Sequence, residues 1–84
     1  MIGTSSRAAI ACLRALTNET RRVERKLRSG GLNDGQSEEL GHYMTDLGEA
    51  LAWVEAVYES HRARDKTLTP VNELLDYFRR NEQI

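Results

Sequence analysis

Four titratable side chains share one face of a predicted helix in the middle of the sequence. They are spaced by four, four and three residues and are Glu38, His42, Asp46 and Glu49. A histidine between carboxylates on successive helical turns has the donor types of a divalent-metal site. A complete site needs ligands from a second helix, and the first helix offers few. We therefore interpret the group as an acidic face that is either solvated or paired with basic residues of a partner, and we expect neither a bound metal nor a cofactor.

Residue patterns that would indicate catalysis are absent from the sequence. It contains no phosphate-binding glycine loop, no nucleophile elbow and no paired-histidine motif. Cys12, the single cysteine, borders the apolar stripe of the first helix, where we expect a small buried residue. One cysteine allows no intrachain disulfide, which fits a reducing compartment such as the cytoplasm. We expect a protein that is not an enzyme and has no catalytic residues.

Arginine recurs at a fixed interval along the first predicted helix. A set spaced by seven residues, with two arginines beside it, forms what we name the basic stripe: Arg7, Arg14, Arg21, Arg22, Arg25 and Arg28. It spans about 30 Å at the helical rise. Such a stripe can follow nucleic-acid phosphates, fit an acidic protein groove or simply be solvated. The net charge of −1 and the lack of an aromatic residue on this helix weigh against nucleic acid.

Three helices, in a single domain spanning residues 1–84, are predicted to position these residues. Helix 1 covers about 5–29 and ends at Gly30 and Gly31. One line of its residues recurs at heptad spacing, and we name it the heptad stripe: Ala9, Leu13, Leu16, Thr20, Val23 and Leu27. Helix 2 covers about 34–65, with Asn33 or Asp34 as its N-cap, and helix 3 covers about 70–80. The short link between the first two helices requires an antiparallel hairpin. The expected fold is all-α: a long helical hairpin with a short C-terminal third helix.

The apolar stripe of helix 2 is wider than one neighbouring helix can cover. It spans about half of the helix circumference, with Trp53 and Val57 at one edge. We expect helix 1 to cover one half, and helix 3 or a second chain to cover the Trp53 side. Two hairpins commonly pair about a two-fold axis into a four-helix bundle. The sequence therefore predicts a homodimer.

A line of small residues lies on helix 2 away from this stripe, and it includes Gly41, Gly48 and Ala52. Glycine within an exposed helix costs about 1 kcal/mol relative to alanine. Two glycines on one line favour a close approach by another helix. The alternative is that they are tolerated surface residues.

These patterns favour a small non-enzymatic protein-interaction module: an adaptor, inhibitor or regulator that binds a protein partner through its helix faces. The residues expected at the interface are Trp53, Val57, Asp46, Gly41, Gly48 and Ala52. The alternative is a nucleic-acid-binding regulator that uses the basic stripe, and a small helical enzyme is the third reading. Short helical chains of this kind are common among phage and mobile-element accessory proteins, and this link is an association that does not follow from particular residues. The longest apolar run, Ala8 to Leu13, is too short to span a membrane, so no membrane contact is expected.

Overall fold

A computed structural model of the chain describes residues 5–80. Its three helices are α1 (Ser6–Ser29), α2 (Asp34–Arg64) and α3 (Val71–Arg80). Helices hold 86% of the described residues, and no strand occurs among them. The predicted all-α hairpin with a short third helix is therefore confirmed, and each helix boundary lies within one residue of its expected position.

Local side-chain chemistry fixes both ends of the hairpin turn. The two glycines that end α1, Gly30 and Gly31, both have a φ of 78°, in a region that residues with a Cβ rarely adopt. Asn33 then begins α2 with a capping box. Its side chain accepts a hydrogen bond from the backbone N–H of Gln36 at 2.8 Å, and the Gln36 side chain accepts one from the Asn33 N–H at 3.1 Å. These bonds satisfy backbone donors that the first helical turn would otherwise leave unpaired.

The connector between α2 and α3, residues 65–70, is bonded to the end of α2. The Tyr58 hydroxyl donates to the carbonyl of Thr69 at 2.6 Å, and Arg62 Nε donates to the carbonyl of Leu68 at 3.3 Å. Thr67 donates from both its N–H and its hydroxyl to the Asp65 carboxylate. The connector thus reverses the chain and directs α3 back along the hairpin.

The main core lies where all three helices meet. Its buried residues come from α1, α2 and α3 and are Ala9, Leu13, Val54, Tyr58, Leu75 and Phe78. Although α3 follows α2 in the chain, it packs more extensively against α1. Val23 and Leu47 are also buried, in the part of the hairpin closer to the turn. The heptad stripe of α1 therefore faces inward as predicted.

The molecule is flat. Its principal-axis extents are 47 × 29 × 15 Å, and its radius of gyration is 14.8 Å. A compact chain of the same length has a radius of gyration of about 12 Å. The three helices thus make a thin slab with two broad faces. In the part of the chain that the structure describes, no helix has the length and apolar character needed to cross a membrane.

Candidate interaction surfaces

Trp53 is the most exposed large hydrophobic residue among those described, with 61% of its surface accessible. Its helical neighbour Val57, one turn further on, is half-buried and packs against the edge of the core. Ala50, one turn before it, is also half-buried. Trp53 therefore stands at the rim of the apolar stripe of α2, as the sequence indicated.

The expectation that helix 3 covers the Trp53 side is wrong. The two buried residues of α3, Leu75 and Phe78, pack with Val54 and Tyr58 in the main core instead. At about 100° per residue, Trp53 and Val54 point in nearly perpendicular directions from α2. The chain thus leaves the Trp53 side open. The other arrangement, in which a second chain covers it, stays a prediction.

The small-residue line of α2 faces open space within this chain. Gly41, Gly48 and Ala52 are all exposed. A Cβ atom placed on either glycine would meet no atom within 4 Å. No other helix of the described chain therefore makes the close approach that the glycines suggested, and an approach by another molecule stays a prediction.

Asp46 lies beside a shallow groove near the hairpin turn. The groove has a volume of about 510 Å³ and is lined on α2 by Asp46, Tyr43, His42 and Glu39, and from α1 by Lys26. Two carboxylate side chains, Glu39 and Asp46, and one basic side chain, Lys26, lie around it. The position of Asp46 is exposed, as an interface residue requires.

A hydrogen-bonded network joins the two long helices next to this groove. Arg22 donates to both carboxylate oxygens of Glu19, at 2.7 and 2.9 Å, and the Tyr43 hydroxyl donates to the same carboxylate at 2.5 Å. The bonds from Arg22 and then from Tyr43 lower the pKa of Glu19 from 4.5 to about 2. The bond to Glu19 in turn raises the pKa of Tyr43, because it stabilises the protonated phenol. Sequence reasoning missed this network, although the three-residue spacing of Glu19 and Arg22 was a signal for its first half.

Most of the basic stripe lies on the surface of α1. Arg7, Arg14, Arg22, Arg25 and Arg28 are exposed, whereas Arg21 is half-buried. The network above holds Arg22 against Glu19 on the surface of α1, so that this guanidinium is already paired.

The end of α3 brings a further arginine to this stripe. Arg79 and Arg21 line the same cavity of about 150 Å³, together with Thr17, Thr20, Glu24 and Leu51. Arg79 also lies 3.6 Å from the Asp76 carboxylate. The basic surface therefore extends from α1 onto α3. Sequence reasoning missed this extension, because it depends on how α3 docks against α1.

Thr17 is the buried polar residue of this region. It is only 4% exposed, and its Oγ1 has no hydrogen-bond partner among the described residues. Thr20, by contrast, is half-buried and donates its hydroxyl to the carbonyl of Leu16 at 2.8 Å. The heptad stripe of α1 included Thr20 and omitted Thr17. The reason is that the heptad spacing took no account of α3, which packs on that side of α1.

The acidic face of α2 and the cysteine are both surface features. Glu38 and His42 lie 3.7 Å apart with strongly exposed side chains. Within residues 5–80, no three His, Cys, Asp or Glu side chains are grouped as a metal site requires. Cys12 is exposed, so the expectation that it is buried is wrong. It lies on the flank of α1 that no other helix covers.

Comparison with known proteins identified no relative of this chain. No protein-family model matches this chain, and neither a curated protein nor a solved structure is significantly similar to it.

Proposed function

We propose that this chain is a non-enzymatic protein-interaction module, an adaptor, inhibitor or regulator, that binds a protein partner through the face of α2 carrying Trp53. The exposure of Trp53 is the observation that supports this function. Tryptophan is enriched among the residues that dominate the binding energy of interfaces, because its large surface becomes desolvated there. Val57 and Ala50 provide half-buried apolar surface beside it.

Site-specific cross-linking tests this function. A photoreactive phenylalanine analogue at position 53 is expected to form adducts with a protein in the cells that make this chain. Tyr77, on α3, is the matched control position because it is also aromatic and 54% exposed. The proposal fails if position 53 gives no adduct, or if both positions give the same adducts.

A second candidate function, nucleic-acid binding, is favoured by one specific observation: the basic stripe continues onto α3 through Arg79. Each arginine that neutralises a phosphate releases counterions, so the affinity falls steeply with salt. We expect this function to need Arg14 and Arg28, which are exposed along the stripe.

Fluorescence anisotropy with labelled duplex DNA and single-stranded RNA tests this second candidate. If the stripe binds phosphates, Arg14→Glu with Arg28→Glu should weaken binding and reduce the slope of log K against log salt by about 2. Lys66→Glu, an exposed change in the connector, should have little effect. Undetectable binding of the unaltered chain at about 50 mM salt would exclude this function.

A further inference from the structure

The flat shape leaves more surface exposed than a compact chain of this mass does. The accessible surface is 6010 Å², whereas a folded monomer of 9.6 kDa exposes about 5,100 Å². The excess of about 900 Å² reflects the flat shape, which leaves broad helical faces that a further layer of helices could cover.

The surface of α2 that carries Trp53 follows a single line of residues along the helix. Eight residues follow each other at intervals of four, three, four, three, four, three and four, and we name them the α2 seam: Glu39, Tyr43, Asp46, Ala50, Trp53, Val57, Ser60 and Arg64. This alternation keeps one line of side chains facing a neighbouring helix over seven turns. It differs from the line that α2 buries in its own chain, which contains Leu47, Val54 and Tyr58.

The character of the side chains changes along this seam. Its first part is acidic, with Glu39 and Asp46, and its last residue is Arg64. Between Asp46 and Arg64 lie Ala50, Trp53, Val57 and Ser60, of which the first three are apolar.

An antiparallel pairing of two identical seams matches these properties. When Trp53 of one copy lies opposite Ala50 of the other, Glu39 lies opposite Arg64, and two-fold symmetry repeats each pairing. Sliding the helices by one heptad places Asp46 opposite Arg64 and Trp53 opposite Val57. In both registers the basic end of one copy meets the acidic half of the other. A parallel pairing would instead place Arg64 against Arg64.

We propose that two copies of this chain pair through the α2 seam in antiparallel orientation, with Trp53 near the centre and Arg64 of each copy against the acidic half of the other. This inference rests on the proposed function and names the partner of the Trp53 surface as a second copy. The pairing brings the two α2 helices together and forms a two-fold helical bundle.

Sedimentation equilibrium at micromolar concentration is the first test. The unaltered chain is expected at about twice its mass of 9.6 kDa. Trp53→Ala should weaken the dimer by about 30-fold or more, as is typical for a central tryptophan. Tyr77→Ala, which removes a similarly exposed aromatic ring from α3, should leave the affinity unchanged. Circular dichroism checks that both variants keep their helical content.

A charge exchange tests the orientation. Arg64→Glu alone, and the double change Glu39→Arg with Asp46→Arg alone, should each give monomers because like charges then meet. An equimolar mixture of the two should form a heterodimer, since every exchanged charge faces its opposite in the other chain. A mixture that associates no better than its separate components would overturn the antiparallel arrangement.

The outcomes separate this inference from the proposed function. A monomeric unaltered chain, or a Trp53→Ala variant that dimerises normally, overturns the self-pairing. If position 53 nevertheless cross-links to a different protein in cells, the proposed function stands without it. If that position gives no adduct at all, both proposals fail.

Discussion

Replacing Thr17 with valine should make the protein more stable. The Thr17 side chain is 4% exposed, and its hydroxyl makes no hydrogen bond among the described residues. A buried hydroxyl without a partner costs about 1–3 kcal/mol. Valine has nearly the same shape and a similar helix propensity, so the substitution removes this cost without opening a cavity. We expect the free energy of unfolding to rise by about 1–2 kcal/mol and Tm to rise by about 4–8 °C per kcal/mol.

Urea unfolding followed by circular dichroism measures this change, at one protein concentration for all variants. Thr20→Val is the matched control, because it makes the same substitution one turn away where the hydroxyl already bonds to Leu16. The control should not gain stability. A Thr17→Val variant no more stable than the unaltered chain would refute the reasoning, because it would show that the Thr17 hydroxyl is bonded in the native protein.

Two further predictions concern the cap of α2 and the network between the helices. Asn33→Ala should lower the free energy of unfolding by about 1 kcal/mol because it removes the cap to Gln36, whereas Asn33→Asp, which keeps an acceptor, should lose little in the same urea titration. The ionised Glu19 carboxylate stabilises the fold above its unfolded pKa of 4.5, and this contribution should be lost as the pH falls from 4.5 towards 2. Carbon NMR should place the Glu19 midpoint near pH 2, and Tyr43→Phe should raise it, whereas a midpoint near 4.5 would contradict the network.

The hairpin could be predicted from sequence because its signals are local. Asn33 and Gln36 are three residues apart, and Gly30 and Gly31 are adjacent to the helix that they end. Each of these effects acts within a single turn of backbone. The apolar spacing of α1 then fixed which of its sides faces inward.

The placement of α3 could not be predicted, because the apolar face of a short amphipathic helix fits either side of a hairpin. The direction is set by contacts across the connector, such as that of Tyr58 with Thr69. Two discrepancies follow from this one gap: of the two alternatives for covering the Trp53 side, cover by α3 is wrong, and Thr17 was omitted from the inward-facing residues of α1. The exposure of Cys12 has the same origin, since α3 lies against the other flank of α1.

The candidate surfaces were only partly predictable. The position of Trp53 at the edge of the apolar stripe followed from residue spacing, which is a property of α2 alone. The bond between Tyr43 and Glu19 joins residues 24 positions apart, and its geometry depends on how the two helices are rotated. Heptad spacing within one helix does not determine how that helix is rotated about its axis relative to its neighbour.

The flat outline of the chain also affects how its stability responds to temperature. The heat-capacity change of unfolding arises mainly from hydration of apolar surface that the folded state buries, and it averages about 1.0–1.3 kcal/mol/K for a chain of this length. A thin slab buries less of that surface, so we expect a single copy to have a smaller heat-capacity change than a compact chain of the same length. Its curve of unfolding free energy against temperature is then less strongly curved. Compared with a compact chain of equal maximum stability, an isolated copy should lose less of that stability for each degree away from the temperature of its maximum.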